Sequence, residues 1–180
     1  MKFLYLLRHA KSSWKVPGLN DHDRPLSKRG RQAAKMMATY LRRSKIAPDV
    51  VICSTATRAR QTLEPIAKTK KPPKVILERG IYGGTQQALW EQLWNLPESV
   101  KSVLLIGHNP ALHDFARELG QADLSELPSA DEKFPTGAMA SFRFDGAWKA
   151  LEPHRAVLTS FITPTAIAGI DTSTSGQQES

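Results

Sequence analysis

Residues 6–12, LLRHAKS, close an apolar run that begins at Phe3 and set an arginine and a histidine side by side at its end. The run Phe3-Leu4-Tyr5-Leu6-Leu7 shows no polar alternation, so it reads as a strand buried on both faces. Strands of that kind belong to parallel sheets covered by helices on either side. Arg8 ends the run well short of a membrane span, which needs about 20 apolar residues, and short of a signal-peptide core. A strand that merely reaches the surface needs no particular residues at its tip. The Arg8-His9 pair therefore raises the question of what else the chain brings to that place.

Working outward, the same grammar repeats. A polar loop from Pro17 to Pro25 leads to a helical pattern in which Ala33, Ala34, Met37, Tyr40 and Leu41 share one face, with Ser27 as N-cap and an end near Ser44. Val50-Val51-Ile52-Cys53 is a second buried strand, followed by a helix from Thr57 to Lys68 that must kink or end early at Pro65. A third strand spans 74–77, a helix 86–94, a fourth strand 102–106 and a helix 111–119. Strands alternating with helices predict an α/β fold, three layers with a mostly parallel sheet. Residues 139–144 and 157–163 alternate and read as a closing hairpin-like pair at a sheet edge. One domain over 1–164 is expected, with 165–180, small and polar at its end, as a flexible tail.

Composition narrows the function. The chain has 180 residues, one cysteine (Cys53) and a net charge of +8, so it forms no internal disulfide and favours anionic partners. A reducing, cytoplasmic setting with no membrane partner is the expectation. The cations fall in small clusters (Lys28-Arg29-Arg31, Arg42-Arg43-Lys45, Lys68-Lys70-Lys71) with no aromatics between them for base stacking, so nucleic acid is not indicated. These clusters read as solvated helix faces and loops.

Ligands of open α/β sheets bind beyond the carboxyl ends of the strands. The first strand delivers Arg8, His9 and Lys11 there. The second delivers Ser54 and Thr55, then Arg58 in the next helix turn. The third delivers Glu78, and the fourth Gly107-His108-Asn109. Two arginines, two histidines and a carboxylate at one edge suit phosphoryl transfer through histidine, because guanidinium forks match phosphate oxygens and adjacent cations keep an imidazole neutral. No His-Glu-x-x-His or cysteine cluster indicates a metal, and the glycines at 80, 83 and 84 lack the lysine of a P-loop. No cofactor is called for. His22, His113 and His154 read as structural or exposed.

Taken together, LLRHAKS, RPLSKRGRQAA (24–34), STATRARQT (54–62) and LLIGHNP (104–110) resemble the histidine phosphatase superfamily, whose fold is that of the metal-independent phosphoglycerate mutases. RHAKSSW, GHNP and FPTGAMASFRFDG (134–146) are similar to its small bacterial phosphohistidine phosphatases, the SixA-like branch. The resemblance implies His9 as nucleophile, with Arg8, Arg58 and His108 holding the phosphoryl oxygens. It makes Glu78 the matching acid of relatives that act on esters, while Asp21 and Asp23 stay open as alternatives. The substrate it implies is a phosphorylated protein such as a phosphotransfer domain. A small phosphate ester of a metabolite is the alternative substrate, and a non-catalytic phosphate- or phosphopeptide-binding module the alternative class.

Overall fold

The apolar run forms β1 (Lys2–Arg8), and in this computed structural model five further strands join it in one mixed sheet. The structure describes residues 1–15, 17–121 and 124–175, the last five as backbone only. In chain order the elements are α1 (Lys28–Arg43), β2 (Val50–Ser54), α2 (Thr57–Ala67), β3 (Lys74–Glu78), α3 (Gln86–Trp94), β4 (Ser102–Gly107), α4 (Ala111–Leu119), β5 (Met139–Phe144), β6 (Val157–Ile162) and α5 (Pro164–Ser175). The strands lie in the order β3-β2-β4-β1-β5-β6. β1, β2, β3 and β4 are mutually parallel, and β5 and β6 run antiparallel at one side, as expected of a closing pair.

Period-two geometry sorts each central strand between two cores. Leu4, Leu6, Val50, Ile52, Val103 and Leu105 face the cluster built with α3 and α4. Leu7, Val51, Cys53, Leu104 and Ile106 face the other, with α1, α2 and Ile167 of α5. The three-layer α/β/α arrangement follows. β3 departs from the expectation of strands covered on both faces: Val75 is 41% and Leu77 50% exposed, because an edge strand has one neighbour and the helices do not reach past it. Pro65 lies inside α2, near its C-terminal end.

The expected tail is corrected over 165–175, which belongs to α5. This segment is helical, its first turn is capped by Thr163, whose Oγ1 accepts from the Ala166 N–H, and Ile167 is buried on the α1 side. Ile167 and Ile170 stand three apart, enough for one apolar stripe, a signal too short to outweigh the polar composition around it. Residues 176–180 of that tail lie outside the described residues.

Two strand ends position the site. In the β1–β4 ladder Arg8 is opposite Gly107, so His9 and His108 leave adjacent parallel strands at the same level. α1 is held against the loop after β1 by a close approach. A Cβ on Gly30 would lie 2.0 Å from the Lys11 carbonyl oxygen, which itself accepts from the backbone N–H and Oγ of Ser27.

Candidate active site

His9, Arg58 and His108 meet where β1, β2 and β4 end. The His9 and His108 rings lie 4.8 Å apart, and Arg58 Nε donates to His9 Nε2 at 3.3 Å. His9 Nδ1 is 2.8 Å from the Ala10 carbonyl oxygen. A carbonyl only accepts, so Nδ1 carries the proton and Nε2 presents its lone pair toward Arg58. The next residue is fixed as well: Thr62 Oγ1 accepts from the Ala10 N–H and donates to the Arg58 carbonyl, tying α2 to the loop after β1.

Arg8 donates through one terminal nitrogen to the Phe134 carbonyl, while its Nε and His108 Nδ1 are buried polar atoms with no protein partner among the described residues. His108 Nε2 meets the buried Ser54 Oγ at 2.7 Å, so β2 orients this ring. Arg8, His9, Lys11, Arg24, Arg58 and His108 are among the residues around a cavity of about 390 Å³.

Electrostatics follow from this crowding. Burial lowers the His9 pKa to about 4, the Ala10 carbonyl opposes it, and Arg58, Arg8 and Arg24 push it down further. Burial also lowers His108, to about 3, helped by His9 and Arg58. Both rings are neutral at pH 7. Burial and Arg58 depress the Arg8 pKa as well, without discharging so strong a base.

Asp21 is the acid that the structure brings in. Its backbone oxygen and carboxylate take the two terminal nitrogens of Arg58, the carboxylate contact at 2.9 Å. The same carboxylate accepts from Arg24 at 2.6 Å and from the Tyr82 hydroxyl at 2.9 Å. Partial burial raises its pKa, but the hydrogen bonds from Arg24, Tyr82 and Arg58 win and hold it at about 2. Asp21 is therefore a carboxylate at neutral pH. Asp23 pairs instead with His22 Nδ1 at 3.1 Å.

No contact among the described residues joins Glu78 to either histidine: its Oε1 accepts from the Gly80 N–H at 2.7 Å and caps the turn after β3. The sequence reading gave no role to Arg24, which is buried, bonded to Ser12 and Asp21, and stacked under the exposed Trp14 indole at 3.1 Å. It also missed Tyr82, whose ring packs edge-on to His22 and His108. His22 is not partnerless, since its Nε2 meets Thr55 Oγ1 at 3.0 Å. The acid-and-base-rich DHDR was the available signal for this loop; Tyr82 had none. Among the described residues no group of three or more His, Cys, Asp or Glu is placed to hold a metal ion.

A profile of the Histidine phosphatase superfamily (branch 1) matches residues 4–81. A candidate phosphohistidine phosphatase SixA from Nakamurella multipartitia superposes with a TM-score of 0.78 at 32% identity, covering 92% of this chain and 97% of that one. The chain belongs to the histidine phosphatase superfamily. A second structure, of the protein histidine phosphatase SixA complexed with tungstate, aligns with a TM-score of 0.74 at 25% identity over 91% of this chain and 97% of that one. An uncharacterized protein of Mycobacterium tuberculosis is 37% identical over 161 residues, 88% of this chain and 99% of its own length. These likenesses extend over β5 and β6, well beyond the matched profile. As a SixA-like histidine phosphatase with the phosphoglycerate mutase-like fold, the protein is a phosphatase acting on phosphorylated substrates. No helix among the described residues is long and apolar enough to cross a membrane.

Proposed function

We propose that this histidine phosphatase removes the phosphoryl group from phosphohistidine in a protein, with His9 as nucleophile and without a metal. The observation that carries the reading is the His9 tautomer: Nδ1–H is committed to the Ala10 carbonyl, which leaves Nε2 the unprotonated nitrogen, accepting from Arg58 Nε on a ring that lines a cavity together with Arg8, Arg58 and His108.

In the first step Nε2 attacks phosphorus. A P–N bond forms on His9 as the P–N bond to the substrate imidazole breaks, its electron pair returning to that nitrogen. With its other ring nitrogen protonated, the substrate imidazole leaves neutral. Arg8 and Arg58 face the charge on the three phosphoryl oxygens, a preorganised stabilisation needing no solvent rearrangement. In the second step water attacks phospho-His9, a P–O bond forms, and the P–N pair returns to Nε2. Both water protons leave with dihydrogen phosphate, so His9 is restored in its starting tautomer.

An alcohol leaving group needs a proton donor, whereas an imidazole departs without one. The three candidate acids fit the second case. Asp21 is ionised and engaged, Asp23 pairs with His22, and Glu78 caps its own turn. Between Tyr82 and Val103 the chain holds a single helix, α3, and no long insertion to cover the cavity, which suits a side chain presented by another protein.

The test is to incubate wild type and His9→Ala with a phosphohistidine protein and a panel of small phosphate esters, with EDTA present. Phosphate release from the protein by wild type alone is expected. Full activity in His9→Ala would remove the nucleophile. Turnover of esters only would remove the substrate assignment and leave the mechanism standing.

A further inference from the structure

Beside the phosphate cavity a second cleft of about 250 Å³ opens across a ridge made by Lys11 and Thr136, which line both. Its other walls are Arg29 from the first turn of α1 and Thr163 and Thr165 at the start of α5. Lys11 and Arg29 are exposed, and neither side chain has a hydrogen-bond or ion-pair partner among the described residues. Their spacing is fixed by the fold, since the Lys11 carbonyl is clamped to Ser27 and abuts Gly30.

The sequence around Arg29 works against its own helix. The first turn of α1 carries Lys28, Arg29 and Arg31 and no acid, although a helix N-terminus favours carboxylates and disfavours cations. Arg31 is occupied with the Leu26 carbonyl. Neither Lys28 nor Arg29 has a side-chain partner among the described residues, and both stand where the helix dipole favours a carboxylate. A local rule broken beside a site is the signature of a functional demand.

We propose that this cleft receives carboxylate side chains next to the phosphohistidine on the substrate protein, so that Lys11 and Arg29 select an acidic surface while the cavity beyond takes the phosphoryl group. The inference rests on the phosphohistidine reading above. The chemistry is matching of opposite charge at an interface rim, which acts on encounter and on KM and leaves the bond-breaking step alone. The ridge shared by the two cavities makes a flanking side chain and the phosphohistidine simultaneous occupants.

The experiment compares wild type with the Arg29→Glu/Thr165→Glu variant on two synthetic phosphohistidine peptides, one flanked by glutamates and one by alanines. Both replacements place a carboxylate in a first helical turn, where it supports the helix, so the variant folds. Wild type is expected to show a KM about fivefold lower for the glutamate peptide, an advantage that shrinks as salt rises. The variant is expected to lose or invert that preference while kcat stays the same and the KM on the alanine peptide moves far less than that on the glutamate peptide. Equal KM values for both peptides in wild type, or an equal loss on both in the variant, would overturn the proposal. A wild-type preference for a small ester with a second phosphate, lost in the variant, would reassign the cleft to that phosphate. Hydrolysis of esters and of neither peptide would instead overturn the phosphohistidine reading, and this inference with it.

Discussion

Asp21 holds Arg58 at both terminal nitrogens, one on its backbone oxygen and one on its carboxylate, and thereby turns Arg58 Nε toward His9 Nε2. Asp21 is a positioning residue in this arrangement. Its carboxylate ties two arginines, Arg24 and Arg58, to one point and keeps the second of them in line with the nucleophile.

Asp21→Asn keeps the shape and the backbone contact but removes the charge. Misplacing a phosphate-binding group by a fraction of an ångström is enough to slow a reaction that depends on alignment, and kcat is expected to fall about tenfold to a hundredfold. KM should move less, and Asp21→Glu should restore part of the loss. Steady-state kinetics with a thermal melt of each variant checks this; an unchanged kcat in Asp21→Asn would refute the positioning role.

The depressed pKa of His9 links acidity to stability. The unfolded chain binds a proton at its histidine near the ordinary value of about 6.5, whereas the folded His9 resists protonation down to about 4. Between those values the unfolded state holds more protons, so the stability present above pH 6.5 is lost as pH falls toward 4, by up to about 1.4 kcal/mol per pH unit for this residue. Urea midpoints at a series of pH values should show the slope, and His9→Asn should reduce it, leaving the share of His108, which burial depresses in the same direction. Activity has the matching profile, with no loss from His9 protonation near pH 6.5.

Gly30→Ala tests the clamp between α1 and the loop after β1. The new Cβ would meet the Lys11 oxygen at 2.0 Å, a backbone atom that cannot swing aside. Overpacking of this kind costs about 1–3 kcal/mol. Because Lys11 lies two residues past His9, kcat should drop together with the denaturation midpoint. A variant as stable and active as wild type would contradict the close approach.

Glu98→Ala separates stability from catalysis. Lys2 is buried at the far end of β1, with its Nζ 2.7 Å from Glu98 Oε2 and 5.0 Å from the centre of the Trp148 ring. Removing the carboxylate leaves a buried ammonium without its counter-charge and deprives the Trp148 backbone N–H of its acceptor. The melting temperature should fall while kcat per folded molecule stays the same; a fall in kcat without destabilisation would show that β1 transmits the change to its other end.

Residues that follow a strand directly were legible in the sequence, because period and punctuation locate the end of a strand and the register does the rest. His9 and His108 are of this kind, Arg8 closes β1 itself, and Arg58 stands in the first turn of the helix that follows β2. Arg24, Tyr82 and His22 were not. They sit in or beside single 3-10 turns whose path across the site depends on tertiary contacts such as Gln61 Oε1 accepting from the Leu26 N–H at 2.7 Å, and no local pattern encodes that path. Glu78 was located correctly at the end of β3, but its side chain was free to choose, and the nearby Gly80 N–H offered it a local partner. α5 was missed for a related reason: a short apolar stripe in a polar segment gains helicity only once α1 is there to receive it.

The pairing of β1 with β4 at the centre of the sheet gives the pocket two tiers of kinetic rigidity. His9 and His108 hang from strands hydrogen-bonded on both sides, whose amides belong to the last part of a protein to exchange with solvent. Asp21 opens a single 3-10 turn (Asp21–Asp23) and Tyr82 closes another (Arg79–Ile81), each held by one or two backbone bonds, the kind of segment that opens at far smaller free-energy cost. A local opening of those segments would release Arg58 from its tether while the two imidazoles stayed in place. An opening of that kind would cost the pocket its alignment and leave its nucleophile in place.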